Sequence, residues 1–315
     1  MLAQSQYLRI SVNNTCNLSC FFCHNEGAPI TGESLSIDAL EFACRIAKKK
    51  GFTKFKLTGG EPTIRRDICQ LVERLAAVGL EDFSMITNGA LLESLAEPLK
   101  KAGLQRINVS LHTLDPEKFD AMQIKNKVSM NRILRGIDKA IEVGFRDMKI
   151  NFVYTGSASD ADLIDLLEYI AVRNLTLVVL PVIAGSADDS QANITLDELY
   201  AKFVNMGIRS ERTILDNEGI QKRLIVLDSG ATILLRKDEL SSRKPYTFCE
   251  SCTVKKQCRE GIFPLRLSAA GELIPCLASI KNRISIREAL ENQDEAAVVE
   301  AFHNVQGWRA AVAQA

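Results

Sequence analysis

The sequence has no surplus of charge of either sign: Lys plus Arg and Asp plus Glu each total 39 in 315 residues. No overall field draws the chain to nucleic acid or to a membrane, and neither is expected as a partner. No apolar run approaches the roughly 20 residues that span a bilayer. The longest, around Leu175 to Gly185, is broken by Pro181. The start, MLAQSQYLRISV, has neither the basic opening nor the continuous apolar stretch of a secretory signal, so the protein reads as cytoplasmic. Internal repeats, Pro-rich stretches and Gly/Ser linkers are missing too. With 46% hydrophobic and 25% charged residues the composition excludes disorder and collagen-like or low-complexity assembly. The length suits one large domain or two, with enough chain to bury a core without disulfides.

What the chain does have is nine cysteines. In a reducing compartment they point to metal ligands or catalytic thiols rather than disulfides. Three are spaced Cys16-x-x-x-Cys20-x-x-Cys23, and four lie near the C-terminus as Cys249-x-x-Cys252, Cys258 and Cys276. Cys44 shares helical spacing with Ile37, Leu40 and Ala47 and reads as a small buried hydrophobe, as does Cys69.

Periodicity predicts strands over Tyr7 to Val12, Lys54 to Leu57, Phe83 to Thr87, Arg106 to Leu111, Met148 to Tyr154 and Leu175 to Val182. Between them it predicts helices over Ile37 to Lys50, capped by Ser36 and ended by Gly51, and over Arg66 to Val78, Leu91 to Ala102, Met130 to Val143 and Asp160 to Val172. Repeated β-α units imply a parallel α/β sheet, either doubly wound or a full or partial barrel, with the site at the C-terminal strand ends. The first cysteine group, Gly59-Gly60-Glu61-Pro62, Thr87-Asn88-Gly89 and Ser110 to Thr113 all fall at such ends. From about residue 187 the pattern changes to a helix over Leu196 to Val204 and a hairpin over Arg223 to Arg236, which places a domain boundary between 1–186 and 187–315. His303 and Trp308 fall in a final helix, Asp294 to Val312, and carry no assigned chemistry.

Three thiolates on one loop leave an open iron on a four-metal cube, whereas structural zinc takes four ligands. CNLSCFFC, followed in order by LTGGEPTIRRD, TNG and INVSLHTLDPEKFD, resembles the motifs of the radical S-adenosylmethionine (SAM) enzymes. The resemblance implies a partial (β/α)6 TIM-type barrel. It also implies that Cys16, Cys20 and Cys23 hold a [4Fe-4S] cluster whose fourth iron chelates SAM, and that one electron cleaves SAM to a 5'-deoxyadenosyl radical. By the same resemblance Phe22, Gly59, Gly60, Glu61, Asn88 and Ser110 contact SAM. The glycines allow close backbone approach, and Glu61 either holds its loop or accepts from the SAM ammonium.

The second cysteine group by itself fits a zinc ribbon. FCESC and LRLSAAGELIPCL, however, resemble the C-terminal part of the GTP cyclases of molybdenum cofactor biosynthesis and related twitch or SPASM domains, which implies an auxiliary [4Fe-4S] cluster in a small C-terminal subdomain. Whether Cys258 ligates that cluster stays open. The likeness to the cyclases runs from Tyr7 to Leu277 and suggests substrate contacts at Arg9, Lys56, Thr87, Lys149 and Arg266. Three departures stand against the cyclase itself. The chain ends in AVAQA where the family has Gly-Gly, Thr176 stands at a family arginine, and Thr253-Val254-Lys255 replaces an Arg-x-Arg. His112 also stands at a family aspartate, while His24 reads as a loop histidine. The expected function is therefore hydrogen abstraction from another small molecule, such as a nucleotide, nucleoside or sugar derivative, in a biosynthetic pathway. Modification of a ribosomally made peptide is the alternative and GTP cyclisation the third reading. Flavodoxin or ferredoxin is the expected electron donor.

Overall fold

The computed structural model describes residues 7–24, 26, 33–122, 128–182, 194–215, 221–237, 249, 252, 264–277 and 282–310. Cys258 and residues 253–255 lie outside the described residues, as does the C-terminal pentapeptide.

Six parallel strands form the centre in chain order: β1 (Tyr7–Ser11), β2 (Lys54–Thr58), β3 (Asp82–Thr87), β4 (Arg106–Ser110), β5 (Lys149–Tyr154) and β6 (Thr176–Pro181). The connections carry α1 (Ile37–Lys49), α2 (Ile68–Ala77), α3 (Leu92–Lys101), α4 (Pro116–Ala121), α5 (Met130–Glu142) and α6 (Asp160–Ala171), and α7 (Leu196–Asn205) follows β6. The expected α/β architecture is present, as a partial (β/α)6 barrel. Ser36 caps α1 through its hydroxyl, as its side chain and position suggested.

The sheet is longer than six strands. β7 (Ile208–Leu215), β8 (Gln221–Leu227) and β9 (Thr232–Arg236) form antiparallel pairs, and β9 joins β6 in parallel. On the opposite flank β10 (Leu265–Leu267) pairs parallel to β1 and continues antiparallel into β11 (Glu272–Ile274) and β12 (Ile284–Ser285). The chain closes with α8 (Arg287–Glu291) and α9 (Glu295–Ala310), whose Phe302 ring meets Phe52 beyond α1 at 5.6 Å.

Several of the central strands alternate between apolar and polar residues. Leu8, Ile10, Phe55, Leu57, Ile107, Val109, Ile150 and Phe152 are fully buried and belong to the core. Their strand neighbours Arg9, Lys56, Arg106, Asn108, Lys149 and Asn151 point the other way, because successive side chains of a strand face opposite sides. A barrel strand must serve a greasy helical coat on one face and a lumen on the other. Among the described residues no helix is long and apolar enough to cross a membrane.

Candidate active site

The cysteine loop follows β1 and is fastened to the loop after β2 by main-chain bonds. Gly60 N donates to Asn13 O (3.1 Å), Glu61 N to Thr15 O (2.8 Å), and Asn13 Nδ2 to Glu61 O (2.7 Å). A Cβ at Gly60 would lie 2.0 Å from Thr15 O, and one at Gly59, whose φ is +149°, would lie 2.7 Å from Asn13 O. Side chains are therefore barred here by the chain itself, which must pass closely under the cysteines. The sequence reading had assigned that close approach to the cofactor.

Glu61, 1% exposed, has both carboxylate oxygens engaged. Oε1 accepts from Thr63 N (3.0 Å), Thr63 Oγ1 (2.5 Å) and Thr87 Oγ1 (2.6 Å), and Oε2 accepts from Asn88 N (2.6 Å). Burial raises its pKa, and the four hydrogen bonds oppose that rise without cancelling it. Of the two roles expected for Glu61, holding the loop is the one this geometry displays. Thr87, suggested as a substrate contact, donates its hydroxyl to Glu61 and accepts from Gly89 N (3.0 Å). Asn88 accepts from Ala90 N (3.0 Å), donates to Asn17 Oδ1 (2.7 Å), and brings Nδ2 within 3.9 Å of Cys16 Sγ. Leu18 N also donates to Cys16 Sγ at 3.3 Å. Such N–H to sulfur bonds are what a cluster thiolate uses to disperse charge.

Cys16, Cys20 and Cys23 form no disulfide. Burial, then the neighbouring Cys23 and Cys16, push the Cys20 thiol up to about 12. Burial raises the Cys16 thiol as well, and thiols that resist ionising in this way suit a site whose charge is supplied by metal. In chemical type the three cysteines and the amide donors around Cys16 suit a cube, although among the described residues no three His, Cys, Asp or Glu side chains are gathered as a metal site. Phe22 packs edge-on against Phe21 (4.8 Å) and His112 (4.6 Å). His112 Nδ1 accepts from Val153 N at 3.1 Å, which leaves the ring proton on Nε2, and burial lowers its pKa to about 4. Ser110 ends β4 beside Asn151 of β5.

Below this rim the lumen is cationic. Arg9 is in register with both Arg266 of β10 and Lys56 of β2, and Lys56 is linked through Ser84 to Arg106. Lys149 is in register with Asn108 and Thr176. Arg266 is 2% exposed and Lys56 9%. Asp82 pairs with Arg106, and Glu26 with both Arg9 and Arg266. Among the described residues Lys56 and Lys149 form no ion pair. Burial, then Lys54, Arg9, Arg106 and Lys149, holds Lys56 well below its ordinary pKa. Burial, then Arg106, Lys222 and Lys54, brings Lys149 to about 8, with Asp147 opposing. The hydroxyl of Thr58 and the carbonyl oxygen of Asn108 are buried on the same face without a hydrogen-bond partner. Cations and unmatched buried polar atoms on one face of the barrel can receive an anionic, hydroxyl-bearing group.

Four of the five suggested substrate contacts, Arg9, Lys56, Lys149 and Arg266, thus share one face, while Thr87 belongs to the Glu61 network. The sequence reading missed Asn13, Asn17, Glu26 and Arg106. Arg106 was open to detection, since it alternates with Ile107 and Val109. In the second group Cys252 N donates to Cys249 O (3.4 Å), and Cys276 is buried just after β11.

Residues 10–170 match the Radical SAM superfamily. The chain is 33% identical over 300 residues to a "Probable GTP 3',8-cyclase" of Thermoplasma volcanium, covering 94% of this chain and 86% of the relative. A relative of the same name from Methanothermobacter marburgensis is 32% identical, with 94% and 92% covered. Among solved structures, Streptococcus suis SuiB bound to S-adenosylmethionine superposes with a TM-score of 0.61 at 19% identity, covering 92% of this chain and 65% of SuiB. Native anSMEcpe with bound AdoMet gives a TM-score of 0.53 at 14% identity, with 93% and 83% covered. At these identities the two structures are alike in fold.

Proposed function

This chain belongs to the radical SAM superfamily, in the branch that includes the archaeal probable GTP 3',8-cyclases, and from that premise we propose that it abstracts a hydrogen atom from a phosphorylated nucleotide, with GTP the first candidate. The relatives' names move GTP ahead of the unassigned small molecule that the sequence departures favoured. The observation that carries the reading is the cationic face of Arg9, Lys56, Lys149 and Arg266 beneath the cysteine loop, in which Lys56 and Arg266 are buried and Arg9 and Lys149 half-buried. Such a face receives a phosphate chain, and the barrel wall excludes water from it.

Cys16, Cys20 and Cys23 would hold a [4Fe-4S] cluster, which would supply the electron for reductive cleavage of SAM. The chain's own work is placement. Glu61 fixes the loops after β2 and β3, and Asn88 carries that order to Asn17 and Cys16. Phe22 and His112 flank the rim, with Ser110 close by in sequence. Cys249, Cys252 and Cys276, with or without Cys258, would hold an auxiliary cluster in the C-terminal subdomain, and a flavodoxin or ferredoxin would deliver the electron beside the cysteine loop.

A different, smaller anion remains the second reading. Thr176, in register with Lys149 where the family has arginine, leaves the lumen one guanidinium fewer. The test is anaerobic. The protein is reconstituted with iron and sulfide, reduced and given SAM with or without GTP, and 5'-deoxyadenosine is quantified. GTP should raise its formation about tenfold or more. Formation that ignores GTP would select the second reading.

A further inference from the structure

Glu26 lies three residues beyond Cys23, and nothing in the sequence patterns assigned it a task. It is 7% exposed and has a φ of +51°, a left-handed conformation uncommon for a residue with a side chain. Such a conformation persists where the surroundings hold it. Here the hold is two-sided. Arg9 Nη2 donates to one carboxylate oxygen, and Arg266 Nε lies 3.4 Å from the other. The two arginines are register partners on adjacent strands, so they leave the sheet side by side and face the lumen together. Burial alone would raise the Glu26 pKa, but Arg9, His24 and Arg266 outweigh it and bring it to about 2, so the group is a permanent anion at working pH.

The lumen cations thereby divide into two kinds. The arginine pair already holds an oxyanion, supplied by the chain, and Arg106 is answered by Asp82. Lys56 and Lys149 have no carboxylate within ion-pair distance among the described residues. A guanidinium pair closed around a carboxylate is built to receive a phosphate in its place, because both present oxygen atoms to the same N–H donors.

We propose that Glu26 is a specificity-determining residue: an internal oxyanion that occupies the Arg9–Arg266 pair, so that a short anion binds at Lys56 and Lys149 alone, while a polyphosphate must displace the Glu26 carboxylate to reach all four cations. The inference rests on the anion-binding reading of the lumen given above. Glu26 in this role sets how much of the charge on a substrate counts toward affinity. It also ties that exchange to the segment directly after the cluster cysteines.

Two inorganic probes test this without reference to any nucleobase. Orthophosphate and tripolyphosphate are titrated calorimetrically into cluster-loaded wild-type protein and into Glu26→Gln, which keeps the size but loses the charge and one of the two acceptor oxygens. Tripolyphosphate should bind the variant about tenfold more tightly than wild type, while orthophosphate affinity stays within about threefold. A tripolyphosphate to orthophosphate ratio that is the same in both proteins overturns the proposal. In wild type alone, tripolyphosphate but not orthophosphate should speed hydrogen exchange in the peptide carrying Glu26. Equal exchange with both bound anions also overturns it, whether or not the variant folds. If neither anion binds either protein, the anionic reading of the lumen falls, and this inference with it.

Discussion

Glu26 and Glu61 are both buried, yet their acidities move in opposite directions. Against the burial that penalises its charge, Glu26 has two guanidinium neighbours, whereas Glu61 has hydroxyl and amide donors. Formal charge nearby, and not burial, decides the sign. His112 lacks such a neighbour, so burial alone lowers it to about 4. Its ordinary value is 6.5, so the unfolded chain takes up the proton first as the pH falls, and stability declines between about 6.5 and 4. The loss is at most about 3 kcal/mol. Glu26 acts lower: its stabilising charge is complete above the ordinary value of 4.5 and is lost as the pH falls toward 2. Urea denaturation of reduced apoprotein at about pH 7 and about pH 4.5 should show a smaller difference in His112→Asn than in wild type. An unchanged difference would place the acid sensitivity elsewhere. At this scale the motif residues were legible because their type is restricted by chemistry. Glu26 was not, since one glutamate after a cysteine loop looks like any surface charge until two distant arginines are brought to it.

Elements came through the sequence within one or two residues where apolar spacing was regular, as in α1, α5 and β2. Two were missed. β7, IRSERTIL, is almost wholly exposed and shows no buried stripe, and it exists through its pairing with β8. α4 is six residues long, too short for a period, although Asp115 and Pro116 carry its cap and first-turn signals. The element that matters most for chemistry is the loop after β2, bonded along residues 13–15. Gly60→Ala would drive a methyl group into Thr15 O, a clash that requires backbone movement and costs on the order of 1–3 kcal/mol. The expected outcome is a folded barrel with reduced iron per chain after reconstitution, read by iron and sulfide assay beside circular dichroism. Full iron content in Gly60→Ala would show that the cysteine loop needs no support from this pairing.

On the scale of the whole molecule, the lumen is a place where like charges are gathered at a cost. Lys56 sits among Lys54, Arg9, Arg106 and Lys149, and its pKa is lowered from 10.5. At every pH below that ordinary value the unfolded chain holds the proton more readily, so the lysine destabilises the fold. Lys56→Met should therefore raise the stability of the ligand-free protein by about 1–3 kcal/mol. It should also weaken orthophosphate binding about tenfold. Denaturant midpoints and calorimetry check both halves, and a less stable variant with intact binding would remove Lys56 from the anion site.

The sequence by itself determined the chemistry available and the order of the elements. Three cysteines at fixed spacing, a diglycine turn and alternating β-α units are local statements, and local spacing survives in one dimension. Only the tertiary structure decided which charges meet. Arg9 and Arg266 are 257 residues apart in number and become neighbours through the pairing of β1 with β10, and Glu26 reaches both across the lumen. Electrostatic energy depends on distance and dielectric in the folded state, neither of which is encoded along the chain, so the balance of that cavity had to await the barrel.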